Sequence, residues 1–179
     1  MQELLTIIDA MLAKKAELGD ERELLLDIGE RVVKAVSSLF GTKGDEVAIL
    51  LLTADARNLR FIAPRRFVDL GTIPVTKRES IAVGVFKRKV GEVLNSVPTV
   101  RHVAFFETVR IKDRAQPIQK MVAVPILDGS QAIGVAQISR KGDSPVAAGP
   151  DFTPADLQRA QEVFGQLAQR LASARPASF

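Results

Sequence analysis

The chain has 179 residues, 46% of them hydrophobic and 26% charged, and a formal net charge of +4. That is enough for one well-packed domain, with the balance of a folded globular protein rather than a disordered one. It has no cysteine and one histidine, His102, which excludes disulfides, thiolate metal sites, cysteine nucleophiles, thioether-linked chromophores and any multi-histidine site within one chain.

Residues 2–18 open the chain with Leu4, Leu5, Ile7, Ile8, Met11 and Leu12, a three-and-four spacing that predicts an amphipathic helix. Gly19-Asp20 interrupts it, and Asp20 with Glu23 three residues on makes a helix start. Residues 21–39 carry the helical pattern through Leu24, Leu25, Ile28, Val32, Val36 and Leu39, until Gly41 and Gly44 end it. Residues 47–53 read as a strand, 55–58 as a turn and 59–63 as the returning strand. After Pro64 the chain is irregular, with a short strand predicted around 72–75. Ser80 caps a helix predicted over 81–88. Residues 90–95 and 103–106 read as further strands, and 110–116 as a polar loop.

Residues 121–141, MVAVPILDGSQAIGVAQISRK, carry the strongest signal. They predict two strands joined at Asp128-Gly129, with apolar or small residues on both faces. Val122, Val124 and Ile126 line one face of the first strand; Met121, Ala123, Pro125 and Leu127 line the other. On the return strand Ile133 and Val135 lie opposite Ala132, Gly134, Ala136 and Ile138. A hairpin wet on one side alternates apolar with polar, so this one must be covered on both. After a loop over 141–150 the last helix opens on Thr153-Pro154, with Asp156 in its first turn. Leu157, Ala160, Phe164, Leu167, Leu171 and Ala174 then recur along it as an apolar seam.

Strands in sequence between terminal helices predict an α+β fold, an antiparallel sheet with helices on one face. The expected organisation is a helical extension over 1–20, a domain over 21–174 and a disordered tail over 175–179.

No apolar run approaches the roughly 18 residues of a membrane span. The first residues lack a basic start and a continuous apolar core, so the expected location is cytoplasmic. The basic residues form small scattered groups, and Trp and Tyr are absent. A solvated basic surface is therefore expected rather than a nucleic-acid site.

Three segments resemble the GAF domain family, over roughly residues 22–173. They are LLDIGERVVKAVSSLFG with DEVAILLLT, the hairpin with its Val-Pro-Ile, turn and Ile-Gly-Val, and FTPADLQRAQEVFGQLAQRL. The resemblance implies a sheet of about six antiparallel strands, with the terminal helices on one face. On the other face, loops and short helices would close over a small-molecule pocket. It also implies regulation: members bind small effectors, and several dimerise through their terminal helices to drive an output domain. Cyclic-nucleotide members carry Asn-Lys followed by Phe-x-x-x-Asp-Glu. Here Lys141, Phe152 and Asp156 match, but Arg140 and Leu157 replace the Asn and Glu, so a cyclic nucleotide is not expected. Lys141, Phe152 and Asp156 would instead hold the last loop against the last helix. Bilin attachment and free-methionine-sulfoxide reductase activity need cysteines, which the chain lacks.

The ligand-pocket candidates are Ser80, His102, Phe105, Arg110, Arg114, Met121 and Ala123. Ser80 opens a helix whose free N–H groups would meet an anion. His102, beside Phe105, is a potential haem ligand or hydrogen-bonding group, or else a plain surface or core-edge histidine. Arg110 and Arg114 would grip an anion in bidentate fashion, or lie in a solvated loop. Met121 and Ala123 would floor the pocket. The dimer-interface candidates are Leu4, Ile8, Met11, Leu157, Phe164, Leu167 and Leu171, with the helix over 21–39 an equally good partner for the last seam. Ser80 and His102 are 22 residues apart with no triad pattern, so no enzyme is expected. The expected function is a stand-alone sensory domain binding a small effector and acting as a homodimer on a separate signalling protein. The alternative is a ligand-free interaction module whose pocket its own side chains fill.

Overall fold

The computed structural model describes residues 1–17, 19–97 and 116–179; the strand expected at 103–106 and the polar loop over 110–115 lie outside the described residues. Helices α1 (Gln2–Ala13) and α2 (Glu21–Phe40) precede strands β1 (Val47–Leu52), β2 (Asn58–Ala63) and β3 (Thr72–Pro74). Helix α3 (Ile81–Arg88), strands β4 (Glu92–Leu94), β5 (Ile118–Asp128) and β6 (Gln131–Lys141), and helix α4 (Pro154–Ala174) follow. Two 3₁₀ turns, Lys15–Glu17 and Arg65–Leu70, link elements.

The helix ends follow from local chemistry. The Glu23 N–H donates to Asp20 Oδ1 at 3.0 Å to start α2. Gly41, in the left-handed conformation at φ 60°, stops it. At α4 the Asp156 N–H donates to Thr153 Oγ1 while the Thr153 N–H donates to Asp156 Oδ2, closing a capping box ahead of Pro154. Thr153's backbone N–H, then its hydroxyl, hold the Asp156 carboxyl below the usual carboxylate range.

The sheet runs β3-β2-β1-β6-β5-β4, antiparallel throughout. The order puts the long hairpin in the middle: β6 pairs with β1 on one side and β5 on the other. Between β5 and β6 the chain turns at Gly129, whose φ of 60° an L side chain would resist. The backbones pack closely at Gly134, where a Cβ would stand 2.2 Å from the Leu50 carbonyl oxygen and 2.7 Å from Leu51 Cδ2.

Two apolar layers sandwich this sheet. On one face Val122, Val124, Ile126, Ala136 and Ile138 meet α2 and α4 through Val32, Val36, Phe164, Leu167 and Leu171. On the other, Met121, Ala123 and Val135 join Leu50, Phe61, Phe67 and the α3 residues Ala82, Val83 and Val85. One side chain departs from the expected alternation. The β5–β6 register shifts between Ile126 and Leu127, so that Gly134 and Ala132 take the partners and Ile133 is left over. This bulge turns Ile133 to the helix face, away from Val135.

Both ends of the chain correct the expected organisation. Helix α1 is no extension, because Leu4, Leu5 and Ile8 enter the helix-side core. Arg170 grips Asp9 in bidentate fashion at 2.7 Å, tying α1 to α4, and its hydrogen bonds hold the Asp9 carboxyl below its ordinary range. The tail after Arg175 is not disordered. Phe179 is buried, its carbonyl accepts from the Ala54 N–H at 2.6 Å, and Arg175 Nη1 donates to the Leu52 carbonyl at 3.1 Å. An aromatic residue and an arginine reaching the end of β1 outweigh the fraying that a short tail invites.

Gly134→Ala should destabilise the domain by about 3 kcal/mol, because the methyl group has backbone and not a yielding side chain in its way. Thr153→Ala should cost about 1 kcal/mol, the worth of one cap. Urea unfolding midpoints read both, and a Gly134→Ala variant as stable as the parent would contradict the close approach of β6 to β1.

Candidate functional site

The sheet face away from α2 and α4 is the candidate site. Its floor is the β1–β6–β5 centre, where Ala48, Gln137 and Ala123 are cross-strand neighbours. Helix α3 packs over β5 and β6, and Phe61 and Phe67 meet edge to face at 5.7 Å beside it. Met121 is 1% exposed, Ala123 0% and Gln137 2%. Among the described residues neither Nε2 nor Oε1 of the Gln137 amide has a hydrogen-bond partner.

Further along β6 the same face becomes polar. The Ser139 hydroxyl donates to the Glu46 carbonyl at 3.0 Å. Glu46 is buried, and its carboxylate accepts the backbone N–H groups of Lys43 and Lys141, each at 2.7 Å. Lys141 Nζ donates to the Asp45 carbonyl at 2.7 Å and to Asp45 Oδ2 at 3.0 Å. Arg66 shares that carboxylate at 2.9 Å. An open cavity of about 620 Å³ lies here, lined by Lys43, Asp45, Glu46, Gln116, Lys141 and Asp143 together with Pro117. A second, of about 440 Å³, lies across Asp45 between α2 and Pro64–Arg66. Burial, aided by repulsion from Arg66 and Lys43 and opposed by Glu46, brings the Lys141 ammonium down to about 8.

Met121 and Ala123 stand where the sequence places them, on the sheet face away from the terminal helices. Ser80 does begin α3, but it is buried and its hydroxyl accepts from the Val83 N–H at 3.4 Å. Its oxygen thus serves its own helix. His102, Phe105, Arg110 and Arg114 lie outside the described residues. Of the dimer-interface candidates, Leu4, Ile8, Phe164, Leu167 and Leu171 are buried in the chain's own core, while Met11 and Leu157 pack half-buried against it. The α4 seam faces the sheet, α1 and α2, because one apolar stripe suits an intramolecular partner as well as an intermolecular one. Lys141 also departs from its expected role: it holds the loop before β1. Arg140, over the Phe152 ring at 4.7 Å, and Asn95, exchanging two 2.9 Å hydrogen bonds with the Phe152 backbone, hold the last loop.

The GAF domain family model matches residues 24–171. The chain belongs to the GAF domain family. Among solved structures it is similar to the GAF domain of a phosphoenolpyruvate-protein phosphotransferase from Coxiella burnetii, with TM-score 0.64 and 15% identity over 96% of this chain and 94% of that one. The corresponding GAF domain from Acinetobacter aligns with TM-score 0.61 and 16% identity, over 97% and 95%. A free methionine-R-sulfoxide reductase from Neisseria meningitidis, solved with its substrate, aligns with TM-score 0.59 and 17% identity, over 97% and 89%. At these identities the likeness is one of fold. No curated protein matches the sequence. This GAF domain has no cysteine, so thiol chemistry has no residue to act through. Among the described residues no helix is long and apolar enough to cross a membrane.

Gln137 and the Asp45–Glu46–Lys141 group were not among the residues expected at the site. A signal for Gln137 was there: it is the one polar residue in AIGVAQI, on the strand with no wet face. The Lys141 group joins positions 95 residues apart and had no local signature.

Lys141 gives a pH prediction. Unfolded, it keeps its proton up to about 10.5; folded, it releases it near 8. Between those values the unfolded chain binds more protons, so stability rises with pH. Lys141→Gln should flatten that rise in urea unfolding measured from pH 8 to 10.5. An unchanged slope would mean that the ammonium is not held down by burial.

Proposed function

We propose that this GAF domain is a small-molecule sensor, in which an effector bound over the outer face of β5 and β6 alters helices α1 and α4. Those helices act, as a homodimer, on a separate signalling protein. One observation carries the reading: β5 and β6 are buried on both faces. Met121 and Ala123 floor the outer layer, while Val122, Val124 and Ile126, on the same strand, press on the helix-side core. A close-packed interior passes a displacement on one face to the other. The GAF family is a regulatory and sensory one, and this supports a regulatory reading over an enzymatic one. Complete burial of Met121 and Ala123 favours one alternative, a ligand-free interaction module in which this layer is simply filled.

Native mass spectrometry with a thermal-shift screen of metabolites separates the two. The sensor reading expects a retained or acquired small molecule and a Tm rise of several degrees; a screen without a hit leaves the interaction module. Because the core takes the α4 seam, the second subunit in this reading meets what α1 leaves outside: Ile7, 36% exposed, and half-buried Met11. Ile7→Glu should shift sedimentation from dimer toward monomer. A wild-type chain that sediments as a monomer removes dimerisation from the proposal.

A further inference from the structure

We propose that Gln137 is the recognition group of the sensor site, and that the effector is a neutral molecule presenting adjacent N–H and C=O groups, an amide, lactam or nucleobase edge. The inference rests on the sensory reading above. Its ground is an unsatisfied group at the centre of the sheet. Gln137 is 2% exposed, and both its amide donor and its amide acceptor lack partners among the described residues. Among the described residues Thr42 and Arg140 each leave one buried atom unpaired, whereas Gln137 leaves two. Buried polar groups are nearly always paired, and an unpaired one needs an account.

The surroundings define what would satisfy it. Gln137 lies between Ala136 and Ile138, both on the helix side, so its own side chain stands on the outer face. Its cross-strand neighbours there are Ala48 and Ala123, whose methyl groups leave the longer glutamine raised above the floor. Met121, Val135 and Leu50 complete an apolar setting. On this face of β6 the nearest charge is Lys141, four residues away or about 13 Å, and it is already paired with Asp45. Among the described residues no free counter-ion stands over Gln137, so there a charged ligand would be desolvated unpaired, which is strongly unfavourable. A carboxamide both donates and accepts, so its complement is a group that does the same. Where a site's polar group is matched only by the ligand, analogues lacking that match are rejected far more strongly than those lacking a methyl group.

The test compares the full chain with its Gln137→Leu variant. The probes are nicotinamide and uracil, which present N–H beside C=O, and methyl nicotinate, which keeps the ring and has no N–H. The expected result has two parts. Gln137→Leu melts several degrees higher than wild type without ligand, because the orphan amide is gone. Wild type binds nicotinamide or uracil at least ten-fold more tightly than the variant does, and methyl nicotinate binds both proteins alike. A lower Tm for the variant would show that the amide has a protein partner and overturn the proposal. Equal probe binding to both proteins, or no probe binding to wild type, overturns it too. The metabolite screen, run on both proteins, tells the two readings apart. A hit that binds wild type and variant equally keeps the sensor and removes Gln137 from it, and the absence of any hit removes both.

Discussion

The constraint on which the rest depends is that β6 has no wet side. From Gly134 to Ile138 its backbone N–H and C=O groups pair with β1 on one edge and β5 on the other, so neither edge reaches water there. Its two faces meet two different apolar layers. Close approach of β1 then requires a residue without a Cβ at Gly134, and small residues at Ala132 and Ala136 flank it. Everything attached to β6 inherits this confinement. The Ile133 bulge is one result, since a side chain that cannot lie beside Val135 is accommodated on the helix side. The placement of α4, whose apolar stripe closes over β5 and β6 rather than over a second subunit, is another.

A sheet buried on both faces also couples its two layers. Helix α4 touches Val122 and Val124, and the outer layer touches Met121 and Ala123, on alternate positions of one strand. The strand cannot shift for one layer without shifting for the other, because interiors packed to crystal density do not absorb displacement. Arg170 and Asp9 extend the linkage from α4 to α1 across the surface. Such an exposed pair adds little stability, but it fixes how the two helices lie on each other. The architecture thus contains a route from the outer face of the sheet to the helices before any ligand is named.

How much of this was legible in the sequence divides along the range of the interactions. The caps at Asp20, Ser80 and Thr153 involve residues three apart, and the sequence placed all three helix starts. The hairpin and its two-sided burial followed from composition alone. What depended on distant partners did not. The stripe of α4 reads identically whether sheet, helix or second subunit covers it, so Phe164, Leu167 and Leu171 fell to the core against the dimer reading. Leu4 and Ile8 on α1, and Phe179 in the tail, find sites formed by elements far along the chain. Ile133 was misplaced because strict alternation has no way to show a bulge. At the site, Met121 and Ala123 were recoverable from alternation, whereas the Lys141–Asp45 contact joins residues 96 apart.

Gln137 and Lys141 lie on the same face of the same strand, and the difference between them is instructive. Lys141 is at the rim. Burial weakens its charge, yet it reaches the Asp45 carboxylate and carbonyl and faces an open cavity. Its polarity is accounted for by its neighbours, as desolvation requires of an ammonium. Gln137 is at the centre, with alanines on either side and no partner among the described residues for either amide atom. For the fold alone a leucine would serve better there, since it would fill the same layer with nothing left to satisfy. A residue that weakens the fold where every neighbour strengthens it marks a place where something other than stability sets the choice. Among the described residues of this GAF domain, that place is the middle of the sheet face away from α2 and α4. The group found there is a side chain able both to give and to receive a hydrogen bond without carrying charge into the core.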